Sequence, residues 1–172
     1  MTVERPEAFD FLGPKTLIGP ELKVGDTAPD FTLLNAKLKP VRKSDLAGKP
    51  MLISVVPSLD TSVCSKQTVR FNQAAATLGE RVHFITVSAD LPFAQARWCG
   101  ANDVTSVQTL SDHRDMSFGD AYGTHIKEAR VESRAVFVVD ADGIIRYAEY
   151  VPTAGQEPNY DAALDVLQQL LG

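Results

Sequence analysis

The sequence predicts an α/β fold in which helices flank a mixed central sheet. Apolar runs typical of buried strands alternate with segments of helical periodicity, which is the pattern of an α/β sandwich. Near the carboxyl end the pattern changes, because a tight Asp-Ala-Asp-Gly turn at residues 140–143 joins two strand-like runs that are expected to form an antiparallel hairpin. No internal repeat or long linker divides the 172 residues, so we expect one domain over residues 1–172.

Strand signals begin at the amino terminus. Phe9 and Phe11 alternate with polar neighbours before a Gly-Pro turn, and the apolar pattern resumes afterwards, which predicts a hairpin extension within residues 1–20. The nearly continuous apolar run at 51–56 is typical of a central strand that is buried on both faces. Strands are therefore expected at residues 31–34, 51–56, 82–88, 107–110, 134–139 and 144–151.

The longest predicted helix follows the central strand. We expect it to begin at Thr61 or Ser62, with the hydroxyl as N-cap, and to stop at Gly79 in a left-handed conformation. Residues at steps of three and four form its inward face, namely Cys64, Thr68, Phe71, Ala75 and Leu78. Further helical segments are expected at residues 44–48, from Pro92 to about Cys99, at 115–122 and after an N-cap at Asn159.

Composition and charge argue against several classes of function. A hydrophobic fraction of 44% with 23% charged residues is ordinary for a globular protein. The net charge of −5 and the absence of a lysine and arginine cluster argue against a nucleic-acid or anionic-membrane surface. The longest apolar runs are much shorter than a membrane span, and the first residues lack the pattern of a secretion signal, so the cytoplasm is the expected location.

Chemistry is indicated by the first of two cysteines. Cys64 falls in the first turn of the predicted helix, where unpaired backbone N–H groups and the helix dipole favour thiolate over thiol. A cysteine on an inward helical face is more often a small core residue than a nucleophile. Pro57, Thr61 and the helix start around Cys64 favour the nucleophile here.

Four segments together resemble the bacterial thiol peroxidases, which are peroxiredoxins of the atypical two-cysteine kind with a thioredoxin-like fold. The segments are GDTAPDF at 25–31, PSLDTSVC at 57–64, ADLPFAQARWCG at 89–100 and RAVFVVD at 134–140. The resemblance runs nearly the length of the chain. It implies that the N-terminal hairpin is an extension of a thioredoxin-like domain.

The resemblance also implies a role for each site residue. Cys64 is the expected peroxidatic thiol and Cys99 the expected resolving thiol. Thr61 is expected as the hydroxyl partner of the sulfur, Arg134 as the charge that holds thiolate and peroxide, and Pro57 as the lid over the sulfur. The implied reaction reduces hydrogen peroxide and organic hydroperoxides through a Cys64 sulfenic acid and a Cys64–Cys99 disulfide.

Partners are likewise implied by the resemblance. Thioredoxin is expected to reduce the disulfide, the protein is expected to be a homodimer with a role in antioxidant defence, and no metal, haem or flavin is expected. A zinc site is not favoured by the residues themselves, because His83, His113 and His125 lack the close spacing of structural zinc ligands.

Two other functions are alternatives to the peroxidase, and the residues disfavour the first of them. A thiol–disulfide oxidoreductase would use a Cys-x-x-Cys pair, which the chain lacks. A redox-sensing interaction protein would use the same thiols to alter a partner surface. Catalytic, as opposed to stoichiometric, consumption of peroxide distinguishes the peroxidase from the sensor.

Overall fold

A computed structural model describes residues 2–172 and confirms the predicted α/β fold with a mixed sheet. The strands are β1 (Glu4–Asp10), β2 (Pro14–Ile18), β3 (Thr32–Leu34), β4 (Pro40–Arg42), β5 (Met51–Val55), β6 (His83–Ser88), β7 (Gln108–Ser111), β8 (His125–Ile126), β9 (Val131–Glu132), β10 (Ala135–Val139) and β11 (Ile145–Tyr150). The α-helices are α1 (Ser62–Leu78), α2 (Pro92–Ala101), α3 (Ser117–Tyr122) and α4 (Tyr160–Leu171), with 3-10 turns at Lys43–Leu46 and Gly79–Arg81. No helix within residues 2–172 combines the length and apolar character that a bilayer crossing requires.

The central sheet has seven strands in the order β11-β10-β5-β6-β7-β3-β4. Strands β5, β6 and β7 are parallel, whereas β10 runs antiparallel to both β5 and β11. Every residue of β5 and β10 is buried, which explains why their sequences are apolar without alternation. The predicted hairpin of the last two strands is confirmed, with Gly143 at φ 84° in the connecting turn.

Alternate residues of the central strands pack into two hydrophobic cores, one on each face of the sheet. Ile53 and Phe137 belong to the core that contains Phe118 of α3. Their neighbours Leu52 and Val136 belong to the opposite core, which contains Cys64 and the inward faces of α1 and α4. The cysteine is therefore enclosed on the α1 side of the sheet.

Helix α1 confirms the predicted inward face but not the predicted side-chain cap. Thr61 is the N-cap by its extended backbone, yet its hydroxyl donates to the Ser58 carbonyl at 3.1 Å and caps no helical N–H. The sequence pattern identified the N-cap residue but could not show whether its hydroxyl accepts from a helical N–H or donates to a nearby carbonyl. Gly79 ends the helix at φ 63°.

The N-terminal hairpin is confirmed, and it is part of a second sheet that the sequence did not predict. β1 and β2 pair with the very short strands β8 and β9 in the order β1-β2-β8-β9. Phe9, Leu17 and Ile126 form the small core of this sheet. A bridge between Asp10 and Thr153 brings the hairpin tip against the loop before α4.

Candidate active site

Cys64 is the third residue of α1 and is completely buried. Its position follows from the order of elements, since β5 ends at Val55 and the chain turns over residues 56–61 before entering the helix. Both cysteines are free thiols. The sulfur accepts a hydrogen bond from Arg134, whose Nη2 lies 3.3 Å from Cys64 Sγ.

Arg134 is the largest fully buried side chain of the described residues, with 1% of its surface exposed. It lies immediately before β10, whose first residue pairs with Val55 at the end of β5. Its Nε and Nη2 donate to the Ala154 carbonyl at 3.2 and 2.7 Å. The structure thus brings together the predicted Cys64 and Arg134, which are 70 residues apart in the chain.

Gln67 orients the guanidinium and was not identified from the sequence. Its Oε1 accepts from Arg134 Nη1 at 3.0 Å, and its Nε2 donates to Ser54 Oγ at 2.8 Å. Gln67 lies one turn beyond Cys64, so the i, i+3 spacing on α1 was the only available signal. No carboxylate within residues 2–172 forms an ion pair with Arg134, so the cation is held by neutral acceptors and the sulfur alone.

A cavity of about 200 Å³ lies at the start of α1. It is lined by Phe11, Pro57, Thr61, Ser62, Val63, Arg134, Ala154 and Gly155. Pro57 and Thr61 thus both line this cavity, and the hairpin contributes Phe11, which sequence reasoning missed. The Thr61 hydroxyl is directed to the Ser58 carbonyl rather than to the sulfur, so its predicted partnership with Cys64 is not formed in this state.

Cys99 lies apart from this cavity, in the last part of α2. Its side chain is half-buried and its Sγ lies 3.7 Å from Thr109 Oγ1 in β7. Burial raises the pKa of the Cys99 thiol, and the hydrogen bond with Thr109 partly opposes that rise. The structure places both cysteines on the same side of the sheet without a bond between them.

No cluster of three or more histidine, cysteine or acidic side chains suited to a metal ion occurs among residues 2–172. The site is composed of a thiol, a guanidinium, a glutamine and backbone carbonyls. These groups are suited to nucleophilic chemistry at sulfur with a cation beside the reacting atoms.

Comparison with known proteins gives a consistent picture. Residues 23–164 match the model of the Redoxin family. The chain is 56% identical over 159 residues to a thiol peroxidase of Bacillus subtilis, which covers 92% of this chain and 95% of the relative. A thiol peroxidase of Listeria innocua is 53% identical over 156 residues, covering 91% of this chain and 94% of the relative.

Solved structures show the same fold. A peroxiredoxin-like protein from Aquifex aeolicus superposes with a TM-score of 0.88 at 36% identity, and the match covers 98% of each chain. A thiol peroxidase from Chromobacterium violaceum superposes with a TM-score of 0.80 over 90% of this chain and 91% of that chain. Its 23% identity supports a likeness of fold alone.

Proposed function

The chain belongs to the Redoxin family and is a peroxidase of the peroxiredoxin type with a thioredoxin-like fold, and we propose that Cys64 is the thiol that attacks the peroxide. One observation carries this assignment. Cys64 Sγ is buried beside the guanidinium of Arg134 at 3.3 Å, next to a cavity of about 200 Å³ at the helix start. A cation and helix N–H groups there stabilise negative charge on sulfur and on the departing oxygen.

In the first step the Cys64 thiolate attacks one peroxide oxygen. The O–O bond breaks, sulfur is oxidised to sulfenic acid, and the departing oxygen leaves as water or an alcohol after taking a proton. A more acidic thiol is more ionised but less nucleophilic, with a Brønsted slope of about 0.45, so ionisation alone gives little net acceleration. Arg134 is therefore proposed to act mainly on the charge that develops as the O–O bond breaks.

Thr61 is proposed to bind the peroxide rather than the sulfur. Its hydroxyl donates to the Ser58 carbonyl, which leaves the lone pairs of Oγ1 free to accept the O–H of the substrate. Pro57 and Phe11 supply apolar walls of the cavity. This combination suits organic hydroperoxides as well as hydrogen peroxide.

In the second step Cys99 is proposed to resolve the sulfenic acid. The Cys99 thiol and the Cys64 sulfenic acid form a disulfide and release water. Thr109, which contacts the Cys99 sulfur, lies in β7, and Arg134, which contacts the Cys64 sulfur, lies immediately before β10. Three strand spacings, or about 14 Å, separate these two strands in the sheet. Disulfide formation therefore requires the segments to move toward each other, because Cα atoms must come within about 7 Å.

Thioredoxin is the proposed reductant of this disulfide. Closing a loop from position 64 to position 99 stabilises the oxidised form by about 3–4 kcal/mol in the chain-entropy model, which is modest enough for exchange with an external dithiol. We further propose a cytoplasmic homodimer of single domains, residues 1–172, that acts in antioxidant defence without metal, haem or flavin.

The test is coupled turnover with thioredoxin, its reductase and NADPH. The unmodified protein should consume hydrogen peroxide catalytically, and Cys64→Ser should abolish consumption. Cys99→Ser should still be oxidised at Cys64 by one equivalent and should fail to turn over with thioredoxin. Persistent turnover by Cys64→Ser, or stoichiometric consumption that stops in the unmodified protein, would overturn the proposal.

A further inference from the structure

The carboxylate of Asp90 accepts three hydrogen bonds, two of them from the loop that precedes Cys64. Ser58 Oγ donates to Asp90 Oδ1 at 2.7 Å, and the Leu59 N–H donates to Oδ2 at 2.9 Å. The third donor is Ser88 Oγ at 2.7 Å, at the end of β6. Hydrogen bonds to a charged acceptor are stronger than those between neutral groups.

Asp90 itself is held on the side of the molecule that carries Cys99. Its carbonyl accepts from Ser111 Oγ at 2.5 Å, and Leu91, the next residue, is the N-cap of α2. Gln95 of α2 donates to Ser88 Oγ at 3.0 Å and so ties the helix to the same group of residues. Asp90 therefore connects the N-terminus of α2, the helix that carries Cys99, to the loop that precedes Cys64.

The bonds continue from the loop into the first turn of α1. The Ser58 carbonyl accepts from the Thr61 N–H at 3.2 Å and from the Thr61 hydroxyl at 3.1 Å. The Thr61 carbonyl in turn accepts the N–H of Ser65 at 2.9 Å. If the loop leaves Asp90, the turn that shapes the start of α1 loses its anchor.

We propose that Asp90 is a positioning residue that holds residues 58–61 in the peroxide-reactive arrangement and thereby limits how fast oxidised Cys64 reaches Cys99. The inference rests on the proposed Cys64–Cys99 chemistry. The step concerned is disulfide formation, in which the Cys99 sulfur displaces hydroxide from the Cys64 sulfenic acid and a proton converts that hydroxide to water. Its atoms and electrons balance without another reactant. The anchor must be released before the step occurs.

The experiment follows the two steps separately in the full-length protein by rapid mixing with peroxide. The variants are Asp90→Ala, which removes all the carboxylate bonds, and Ser58→Ala, which removes a single hydroxyl. Disulfide formation should be faster by about tenfold in Asp90→Ala and by about threefold in Ser58→Ala. Oxidation of Cys64 by peroxide should be no faster in either variant than in the unmodified protein, because loosening residues 58–61 adds nothing to the peroxide-reactive arrangement.

Ser111→Ala is the matched control. It removes a serine hydroxyl bonded to the main chain of Asp90 and leaves the carboxylate bonds to the loop intact. Both rates should remain within about twofold of the unmodified protein. The double variant Ser58→Ala with Asp90→Ala should form the disulfide no faster than Asp90→Ala alone, because the hydroxyl acts through the carboxylate.

Unchanged or slower disulfide formation in the folded Ser58→Ala variant would overturn the inference, as would additive effects in the double variant. Folding of each variant is checked by urea unfolding, and a loss of stability without a change in disulfide rate would show a merely structural role, which also overturns it. Failure of the proposed function gives a different result, because the unmodified protein would then form no intramolecular disulfide with one equivalent of peroxide.

Discussion

The Cys99 sulfur forms one weak hydrogen bond, with the Thr109 hydroxyl, and this bond should affect how the rate of disulfide formation depends on pH. Burial raises the pKa of Cys99, while Thr109 lowers it by stabilising the thiolate. The attacking form is the thiolate, so disulfide formation should become faster as pH rises through the raised pKa. The rate near pH 7 depends on the small fraction of thiolate that Thr109 helps to maintain.

We predict that Thr109→Val slows disulfide formation at pH 7 by about threefold and moves the rise of the rate to higher pH. Stopped-flow measurement of the second oxidation phase between pH 6 and pH 10 tests this. Thr86→Val is the control, because Thr86 pairs with Thr109 in the neighbouring strand and its buried hydroxyl has no hydrogen-bond partner in the described part of the chain. Equal slowing by both variants would show that packing, rather than the hydroxyl on sulfur, sets the rate.

At the scale of residues, the sequence alone singled out Cys64 at a helix start, and Pro57 lines the cavity at that helix start. The helix start and the proline are local signals, so they can be read from neighbouring positions. Gln67 and Asp90 were missed because their partners are distant in the chain, and no local pattern distinguishes them from ordinary polar residues. Arg134 was placed by resemblance alone for the same reason.

At the scale of elements, the N-terminal hairpin is attached to the end of α3 by a close backbone contact. Gly123 has φ 73°, and a Cβ there would overlap the Pro20 carbonyl oxygen and lie 2.6 Å from Arg5 Nη2. Arg5 Nη2 also donates to the Gly123 carbonyl at 2.5 Å, and its Nε donates to the Gly19 carbonyl. The attachment matters for the site because the same hairpin carries Phe11 to the cavity.

We predict that Gly123→Ala lowers the free energy of unfolding by about 3 kcal/mol, through left-handed strain and overlap together. Gly48→Ala, at φ 93° with open space around it, should suffer only the strain and lose about 1 kcal/mol. Urea unfolding measures both, and limited proteolysis should cut the N-terminal hairpin earlier in Gly123→Ala. Equal losses in the two variants would contradict the close-contact argument.

The main elements were predictable because each has a sufficient local pattern. The buried runs of β5 and β10, the inward face of α1 and the Asn159 cap of α4 all occur as expected, and Asn159 Oδ1 accepts from the Ala162 N–H at 3.1 Å. Strands β8 and β9 have two residues each and exist only through pairing with β2 and with each other. A two-residue strand leaves no periodicity to detect.

At the scale of the whole molecule, stability should depend on a buried carboxyl group remote from the cysteines. Glu132 is fully buried, accepts a bond from Thr124 Oγ1 at 2.5 Å, and faces Asp112 and, at longer range, Asp120. Burial is the main cause that raises the pKa of Glu132, followed by its interactions with Asp112. Glu132 Oε1 has no hydrogen-bond partner among residues 2–172, which fits a protonated oxygen that faces the carboxyl group of Asp112.

The raised pKa means that the folded protein keeps a proton that the unfolded chain releases above about pH 4.3. Stability should therefore fall as pH rises from that value toward the folded pKa of Glu132. We predict that Glu132→Gln, whose amide can donate to Asp112 permanently, flattens this slope and is more stable than the unmodified protein at pH 7 by about 1 kcal/mol. Urea unfolding between pH 4 and pH 8 measures the slope.

Glu128→Gln is the control for this prediction. Glu128 is exposed, and the Thr16 N–H is the main cause that lowers the pKa of its carboxyl group. A carboxyl group with a lowered pKa in the folded protein stabilises the protein at pH values above its pKa in the unfolded chain, and this stabilisation is lost as the pH falls. Removing the Glu128 carboxylate should therefore not flatten the fall in stability that Glu132 causes at higher pH. An unaltered slope in Glu132→Gln would mean that the buried carboxyl titrates normally.

A guanidinium enclosed in the protein without a carboxylate makes the charge balance of the interior depend on the oxidation state of one atom. When Cys64 is ionised, sulfur and Arg134 form a self-contained pair. A disulfide carries no charge, so oxidation leaves the cation with only neutral acceptors in a medium of low polarity. Electroneutrality thus favours the reduced protein, because reduction of Cys64 restores the negative charge that balances Arg134.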